Sequence, residues 1–401
     1  MLKKLLFTLL PMALSANLTY SQAYIKNLAI LDAFDINVSF INDKTFNEFK
    51  NKNVAILKAQ NFFTAMDNGS HFVPAMKSIL AKYNIPPEFL YLSLAESHFL
   101  VRAYSSASAS GLWQFIPSTA RLYGLKIDEF VDERRDLLKS TEAAAKYLSE
   151  LHNRFGKWYL VAIAYNCGEG KLSRAIKQAG SDDLGVLLDP NKKYIPLESR
   201  NHIRKIVSLA MMGNDEEFLS TSKYEFVLNR ASAESITKVK VPAGESLQRI
   251  ARLVDMPLSE LSNLNRHLLK EFVPPYIKEY RIYIPYSKLA SFKQNYKADP
   301  MQAIHYVYRV KAGDNLSKIA ASHGVSVAIL KEFNSLKSTL LKVGQNINIP
   351  NINPIKTHYI VKKGDTLDAI AKEFGISSKE LQSLNNLKGS LIKVGEKLVL
   401  R

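Results

Sequence analysis

Hydrophobic periodicity divides the chain into two parts with different expected structures. Between about residues 86 and 215, apolar residues recur at helical spacing in segments separated by Gly, Pro and Ser. The pattern predicts helices from Pro86 to about Glu96, Pro117 to near Gly124 and Ser140 to Gly156, and then through WYLVAIAYN, KLSRAIKQAG and IRKIVSLAMM. The middle of the chain is therefore expected to be one all-α domain.

Beyond residue 235 a short pattern repeats three times. Residues 308–350 match residues 359–400 at a constant offset of 51, including Tyr308 with Tyr359, Gly313-Asp314 with Gly364-Asp365 and Asn334 with Asn385. A weaker copy, which lacks the Gly-Asp pair, lies 69 residues before the first of these. Each copy predicts a strand, two short helices and a closing strand, with the Gly-Asp pair forming a turn and capping the first helix.

The predicted architecture is therefore multidomain: a mainly α domain followed by three small α+β (βααβ) modules. The apolar pattern and its breaks give the expected boundaries, which are a signal peptide at 1–23, an N-terminal helical extension at 24–70, the helical domain at 71–215, a linker at 216–235, and modules at 236–286, 305–350 and 357–401.

The N-terminus carries the pattern of an export signal. Two lysines precede an apolar run from Leu5 to Ala16, which is shorter than the roughly 20 residues that span a bilayer. Ser21 and Ala23 fit a cleavage site before Tyr24; an uncleaved anchor is the alternative. No cysteine follows the run, so no lipid anchor on an N-terminal Cys is expected. The expected location is the periplasm, at the cell wall or the periphery of the outer membrane.

Charge and cysteine content narrow the classes of partner. The formal net charge is +17, and residues 231–401 contribute 26 basic against 14 acidic side chains. Such an excess favours an anionic partner, and for an exported protein an acidic wall polymer is a better fit than nucleic acid. The lone Cys167 excludes an intramolecular disulfide and a multi-Cys metal site. No metal or cofactor is expected, and no protein partner is indicated.

The candidate chemistry lies in the helical domain. Glu96 follows an apolar helix and precedes a loop rich in Ser and Ala. A carboxylic acid in apolar surroundings keeps its proton near neutral pH and can protonate a glycosidic oxygen. Trp113 offers an indole for stacking on a sugar, Gln114 an amide for its hydroxyl groups, and Tyr165 and Asn166 a phenol and a second amide. One acid among aromatic and amide groups is typical of a carbohydrate cleft.

Three ordered motifs, E-S, G-L-W-Q-F-I-P and A-Y-N-x-G-x-G, closely resemble those of the lytic murein transglycosylases of glycoside hydrolase family 23. The three repeats resemble LysM modules, which implies binding of polymers that contain N-acetylglucosamine, through loops around 313–316 and 334–338. The family resemblance implies a lysozyme-like catalytic domain and peptidoglycan glycan strands as partner. It also implies roles for Glu96 as catalytic acid and base, and for Ser97, Gln114, Tyr165, Asn166 and Glu198 in the cleft.

The resemblance implies a reaction with a single acid. Glu96 protonates the oxygen that leaves MurNAc C1 and then takes the proton of the MurNAc C6 hydroxyl, which closes a 1,6-anhydro ring. A hydrolase of the usual kind needs a second carboxylate. The acids at 128–136 are candidates, although their cluster has the pattern of a solvated loop. A lysozyme-type hydrolase and an inert wall-binding scaffold therefore remain open.

Three further residues need an interpretation. His202 stands where relatives usually carry Tyr, so the contact that this Tyr makes in relatives is left unassigned in this chain. Cys167 stands where Ala is common and is expected to be a small packed residue rather than a nucleophile. His98 is expected to be a structural neighbour of Glu96 with no catalytic role.

Overall fold

The structure is a computed structural model. It describes residues 22–60, 62–69, 71–220, 235–274, 276–277, 279–297, 305–323, 325–334, 336–350, 358–373, 377–387 and 389–400. The apolar run expected to be the signal-peptide core lies outside these residues. Among the described residues, no helix is long and apolar enough to cross a membrane. The contacts divide the chain into two compact units, residues 1–128 with 132–236, and residues 129–131 with 237–401.

The first unit is built from helices. After α1 at residues 22–33, they are α2 Lys44–Gln60, α3 Phe62–Gly69, α4 Val73–Lys82, α5 Leu90–Ser97, α6 Pro117–Leu122, α7 Lys139–Phe155, α8 Trp158–Cys167, α9 Glu169–Ala179, α10 Leu184–Leu187, α11 Leu197–Gly213 and α12 Glu216–Ser220. Three-residue or five-residue 3₁₀ segments lie at Val38–Asn42, Pro87–Phe89 and Glu133–Arg135. Helix α11 packs against α2, α5 and α8, and α7 packs against α4 and α8.

The second unit repeats one small arrangement. Its elements are β1 Ile236–Pro242, α13 Leu247–Leu253, α14 Leu258–Leu264, β2 Glu279–Pro285, α15 Leu289–Asn295, β3 His305–Arg309, α16 Leu316–Ser322, α17 Val327–Phe333, β4 Asn346–Pro350, β5 His358–Ile360, α18 Leu367–Glu373, α19 Ser378–Leu384 and β6 Lys397–Val399. Each module has a two-stranded sheet, β1-β2, β3-β4 and β5-β6. The second and third pairs are antiparallel, with Val307 opposite Asn348 and Tyr359 opposite Leu398.

The predicted fold class is confirmed: a helical domain precedes small modules with two-stranded sheets. One detail of the repeats is wrong. The Gly-Asp pair makes the expected turn, but Asp314 does not cap the following helix, because its carboxylate accepts from Lys311 N–H and from the Tyr308 hydroxyl. The cap of α16 is Asn315, whose side chain accepts from Lys318 N–H.

An asparagine, buried in the first module and partly buried in the other two, holds each module closed. Asn334 donates to the carbonyl oxygens of Leu330 and Asn348 and accepts from Asn348 N–H, so its amide joins the end of α17 to β4. Asn265 and Asn385 make the same three bonds in the first and third modules. These matching asparagines therefore fix the fold, because their side-chain amides are already fully bonded within the module.

Candidate active site

Helix α5 carries Glu96 in the interior of the first unit. Seven of its eight residues are buried, and Glu96 is the exception, with its side chain 18% exposed. A helix that is apolar on nearly every side forms only inside a core, so its position is fixed by packing on all faces. The carboxyl group of Glu96 is thus held at a defined place where the core meets solvent.

The backbone turns sharply immediately after Glu96. His98 and Phe99 both have left-handed backbone angles, with φ of 50° and 56°, and His98 N–H closes the helix on the carbonyl oxygen of Leu94. Such a conformation is unfavourable for residues other than glycine. The Phe99 ring is fully buried and packs edge-on against Phe72, which holds the turn in place.

The G-L-W-Q segment is bonded to α5 and shapes the wall beside it. Ser93 of α5 donates to the carbonyl oxygen of Leu112 at 2.9 Å. Gln114 is partly buried with φ of 47°, and its side-chain amide donates to the carbonyl oxygen of Gly111. The expected role of Trp113 is not supported: its indole is 0% exposed and donates to Thr141 Oγ1 at 3.0 Å. A fully buried ring has no face for a sugar, so Trp113 is a core residue.

The A-Y-N motif at the end of α8 joins the same cluster. The Tyr165 hydroxyl donates to the carbonyl oxygen of Trp113 at 2.6 Å. Burial, followed by the nearby charge of Glu96, raises the pKa of Tyr165 well above its ordinary value, so the phenol stays neutral. Asn166 accepts from the hydroxyl of Ser199 in the first turn of α11 at 2.6 Å. The motifs that are distant in sequence are therefore bonded to one another.

Helix α11 brings two basic side chains to Glu96. Nε2 of His202 lies 2.9 Å from Oε1 of Glu96, and the His202 side chain is 10% exposed. Nζ of Lys205 donates to the carbonyl oxygen of Ala95 at 2.7 Å, at the C-terminal end of α5 where a cation is favourable. Burial lowers the pKa of Lys205, and the charge of Glu96 opposes that shift.

Other predicted site residues lie at the margin of this cluster. Glu198 is exposed in the first turn of α11. The hydroxyl of Ser97 bonds back to the carbonyl oxygen of Ser93 within α5, so it supports the helix. Burial, with the nearby Lys205 charge, lowers the pKa of His98. Lys205 was missed by the sequence analysis, and its only signal is the Arg204-Lys205 pair within the mostly apolar second half of α11.

Most of the acids proposed as a second carboxylate are buried and bonded to other groups of the chain. The expectation of a solvated loop is wrong for Asp132, Glu133 and Asp136, which are all buried. Asp132 forms a two-bond ion pair with Arg134, Glu133 pairs with a neighbouring lysine, and Asp136 accepts two backbone N–H groups at the start of α7. Of the remaining two, Asp128 is partly buried near Lys126.

The surroundings of Cys167 bear on its expected role as a packed residue. The Cys167 thiol is partly buried and free, and burial raises its pKa, so little thiolate forms at neutral pH. This environment suits a packed residue rather than a nucleophile. Among the residues that the structure describes, no group of three or more His, Cys, Asp or Glu side chains is placed to hold a metal ion.

Family models match both units. The transglycosylase SLT domain matches residues 74–185, and the LysM domain matches residues 308–350 and 359–401. The LysM-like domain of lytic transglycosylase MltD matches residues 235–300, which contain the divergent first module. Along the chain, the matches follow one another in the same order as the helical domain and the three modules.

Individual proteins are similar to different lengths of this chain. Membrane-bound lytic murein transglycosylase D of Escherichia coli K12 is 32% identical over 341 residues, covering 80% of this chain and 74% of the relative. A putative tributyltin chloride resistance protein of an Alteromonas species is 44% identical over 96 residues, 24% of this chain and 46% of that protein. A solved structure of an inactive mutant of lytic transglycosylase Slt from Pseudomonas aeruginosa aligns with 20% identity and a TM-score of 0.30 over 37% of this chain and 24% of that one. On the identity and coverage of the first relative, the chain belongs to the lytic murein transglycosylases of the membrane-bound lytic murein transglycosylase D type.

Proposed function

We propose that the chain cleaves the β-1,4 bond between MurNAc and GlcNAc in peptidoglycan and leaves 1,6-anhydroMurNAc ends. The observation that carries this proposal is the placement of Glu96, the one residue of α5 that is not buried, at the meeting point of the three family motifs. Glu96 gives its proton to the oxygen leaving C1, and the C1–O bond breaks. The carboxylate then takes the C6 hydroxyl proton as O6 bonds to C1.

The surroundings of Glu96 support this two-step proton transfer. After the first step Glu96 is an anion, and the partly buried Lys205 ammonium is close enough to interact with it. Gln114 and Asn166 are proposed to bind sugar hydroxyl or acetamido groups, and Glu198 is proposed to support the cleft. Three of the acids at 128–136 are held in ion pairs or helix caps. That bonding favours the single-acid reaction over a two-carboxylate hydrolysis.

The LysM modules bind glycan, and their charge adds attraction for the wall. The net charge of +12 in residues 231–401 attracts the free carboxylates of wall peptides, and this attraction is strongest at low salt. We propose that the loops around 313–316 and 334–338 contact the sugar. Asn334 itself is not available for this purpose, because its amide is bonded within the module.

Export to the periplasm is part of the same proposal. Residues 1–23 are proposed to be a cleaved signal peptide, and the mature protein is proposed to stay associated with the cell wall. Sequencing the N-terminus of the protein purified from cells measures this directly. A mature chain that begins near Tyr24 is expected, and an intact Met1 contradicts cleavage.

The test of the reaction is mass spectrometry of the fragments released from purified sacculi. Fragments one water lighter than reducing muropeptides are expected from the native protein and not from Glu96→Gln. Matched controls are Asp128→Asn and Glu129→Gln, which neutralise the two acids of the loop that are not buried and are expected to release the same anhydro products. Reducing ends, lost with either control, would establish the hydrolase instead. Retention without release by the native protein would leave a wall-binding scaffold.

A further inference from the structure

His202 is in an unusual environment for a histidine. Its side chain is nine-tenths buried, with Nε2 2.9 Å from Oε1 of Glu96. Neither ring nitrogen has a completed hydrogen bond among the described residues, and the approach of Nε2 to Oε1 of Glu96 is a short polar contact of the ring. Buried polar atoms without partners are costly, by about 1–3 kcal/mol each, and are rare in folded proteins. The arrangement is therefore expected to serve a purpose that offsets this cost.

The other polar groups near Glu96 already have partners. Three side chains direct their hydrogen atoms to backbone carbonyl oxygens: Tyr165 to Trp113 at 2.6 Å, Lys205 to Ala95 at 2.7 Å and Ser97 to Ser93 at 3.0 Å. Lys205 acts on Glu96 through its charge, and one of its three ammonium hydrogens is bonded to α5. Compared with these three side chains, His202 is distinguished by a nitrogen 2.9 Å from the carboxyl group of Glu96.

We infer that His202 is a positioning residue for Glu96, which it holds by donating Nε2–H to Oε1. The inference rests on the proposed role of Glu96. If Oε1 accepts from His202, the carboxylic proton is carried by Oε2, which leaves that proton free for the glycosidic oxygen. The same Nε2–H donates more strongly once Glu96 is a carboxylate, so one tautomer serves both steps.

The experiment compares kcat and KM of His202→Phe, His202→Gln and the native chain on soluble, uncross-linked glycan strands at pH 7. Phe keeps the ring without a donor, and Gln places an amide N–H close to the position of Nε2 without an ionisation near neutral pH. His98→Asn is the matched control, because it removes the neighbouring imidazole at a left-handed position that asparagine tolerates. Tryptophan fluorescence confirms that each variant is folded.

His202→Phe is expected to lower kcat about 100-fold with little change in KM, as for loss of one preorganised donor. His202→Gln is expected to recover most of kcat, because its amide N–H replaces the missing donor. His98→Asn is expected to keep native kcat. Native kcat in folded His202→Phe, no recovery in His202→Gln, or an equal loss of kcat in His98→Asn would each overturn the inference.

The outcomes separate this inference from the proposed function. Reducing ends among the native products would refute the transglycosylase reaction whatever His202 does. Full activity of Glu96→Gln would refute the role of the carboxyl group that His202 is inferred to hold. Anhydro products with an inactive Glu96→Gln, together with an unaltered His202→Phe, would leave the function standing and remove only the role of His202.

Discussion

Gly111→Ala tests whether the turn before Trp113 requires a residue without a Cβ atom. Gly111 has φ of +83°, and a Cβ atom built there would lie 1.8 Å from the carbonyl oxygen of Arg134. Contacts of Cβ below 3.0 Å are essentially never seen, so that carbonyl would have to move by about 1.2 Å. It cannot move freely, because the Arg134 guanidinium is bonded to Asp132 and to the carbonyl oxygen of Ser108.

Two costs add up at this position. A left-handed backbone costs about 1–2 kcal/mol for alanine, and forcing an extra carbon into a packed site costs about 1–3 kcal/mol. The expected loss of about 2–5 kcal/mol corresponds to a fall in Tm of roughly 5–15 °C for a domain of this size. Gly124→Ala is the matched control, with φ of +82° and no atom within 4 Å of the added carbon. It is expected to lose only the backbone part, about 1–2 kcal/mol.

Tryptophan fluorescence is a selective assay for this comparison. The chain has two tryptophans, Trp113 and Trp158, and both lie in the first unit, so a thermal melt followed by their emission reports on that unit and not on the LysM modules. Gly111→Ala is expected to melt clearly below Gly124→Ala. Equal melting points for the two variants would show that the Arg134 carbonyl is not the constraint inferred from the structure.

Three further outcomes are expected. Asp314→Asn should destabilise the second LysM module at pH 7, because Lys311 N–H and then the Tyr308 hydroxyl hold the pKa of Asp314 below its ordinary value of 3.8; in melts at several pH values the difference should shrink as the pH falls through that lowered pKa. Asn334→Ala should destabilise the same module by about 2–4 kcal/mol in calorimetry, and an unchanged melt would contradict its bracing role. Cys167 should alkylate more slowly at pH 8 than a free thiol, and Cys167→Ala should keep full activity.

The helices of the first unit could be predicted because their apolar spacing and end signals agree. Gly156 ends α7 with φ of +72°, as its position after an amphipathic segment indicates, and Pro117 stands at the start of α6. The strands of the modules could be predicted for a different reason, since three copies of one pattern fix its boundaries by comparison. In both cases the signal is local along the sequence.

The predictions that failed depend on side-chain partners that only the folded chain supplies. Whether Trp113 faces a sugar or the core is decided by Thr141, which is 28 residues away and accepts its N–H. Whether the acids near residue 132 are solvated is decided by Arg134 and by the turns that it joins. From residue type alone, Asp and Glu are expected to be exposed at the surface. Only the folded chain shows that a cation is buried with them.

The first LysM module shows how a repeat can lose its sequence pattern and keep its physical solution. It lacks the Gly-Asp pair, yet Glu245 is 2% exposed and accepts from the hydroxyl of Tyr296 at 2.8 Å, as Asp314 accepts from Tyr308 in the second module. Tyr296 follows α15, an extra helix, and Arg249 donates to the same carboxylate at 2.7 Å. An acid paired with a tyrosine therefore recurs in both modules, but in the first it is buried and neutralised by a cation. The first module therefore forms its acid–tyrosine contact from different residues. The absence of the Gly-Asp pair is not by itself a sign of a degraded module.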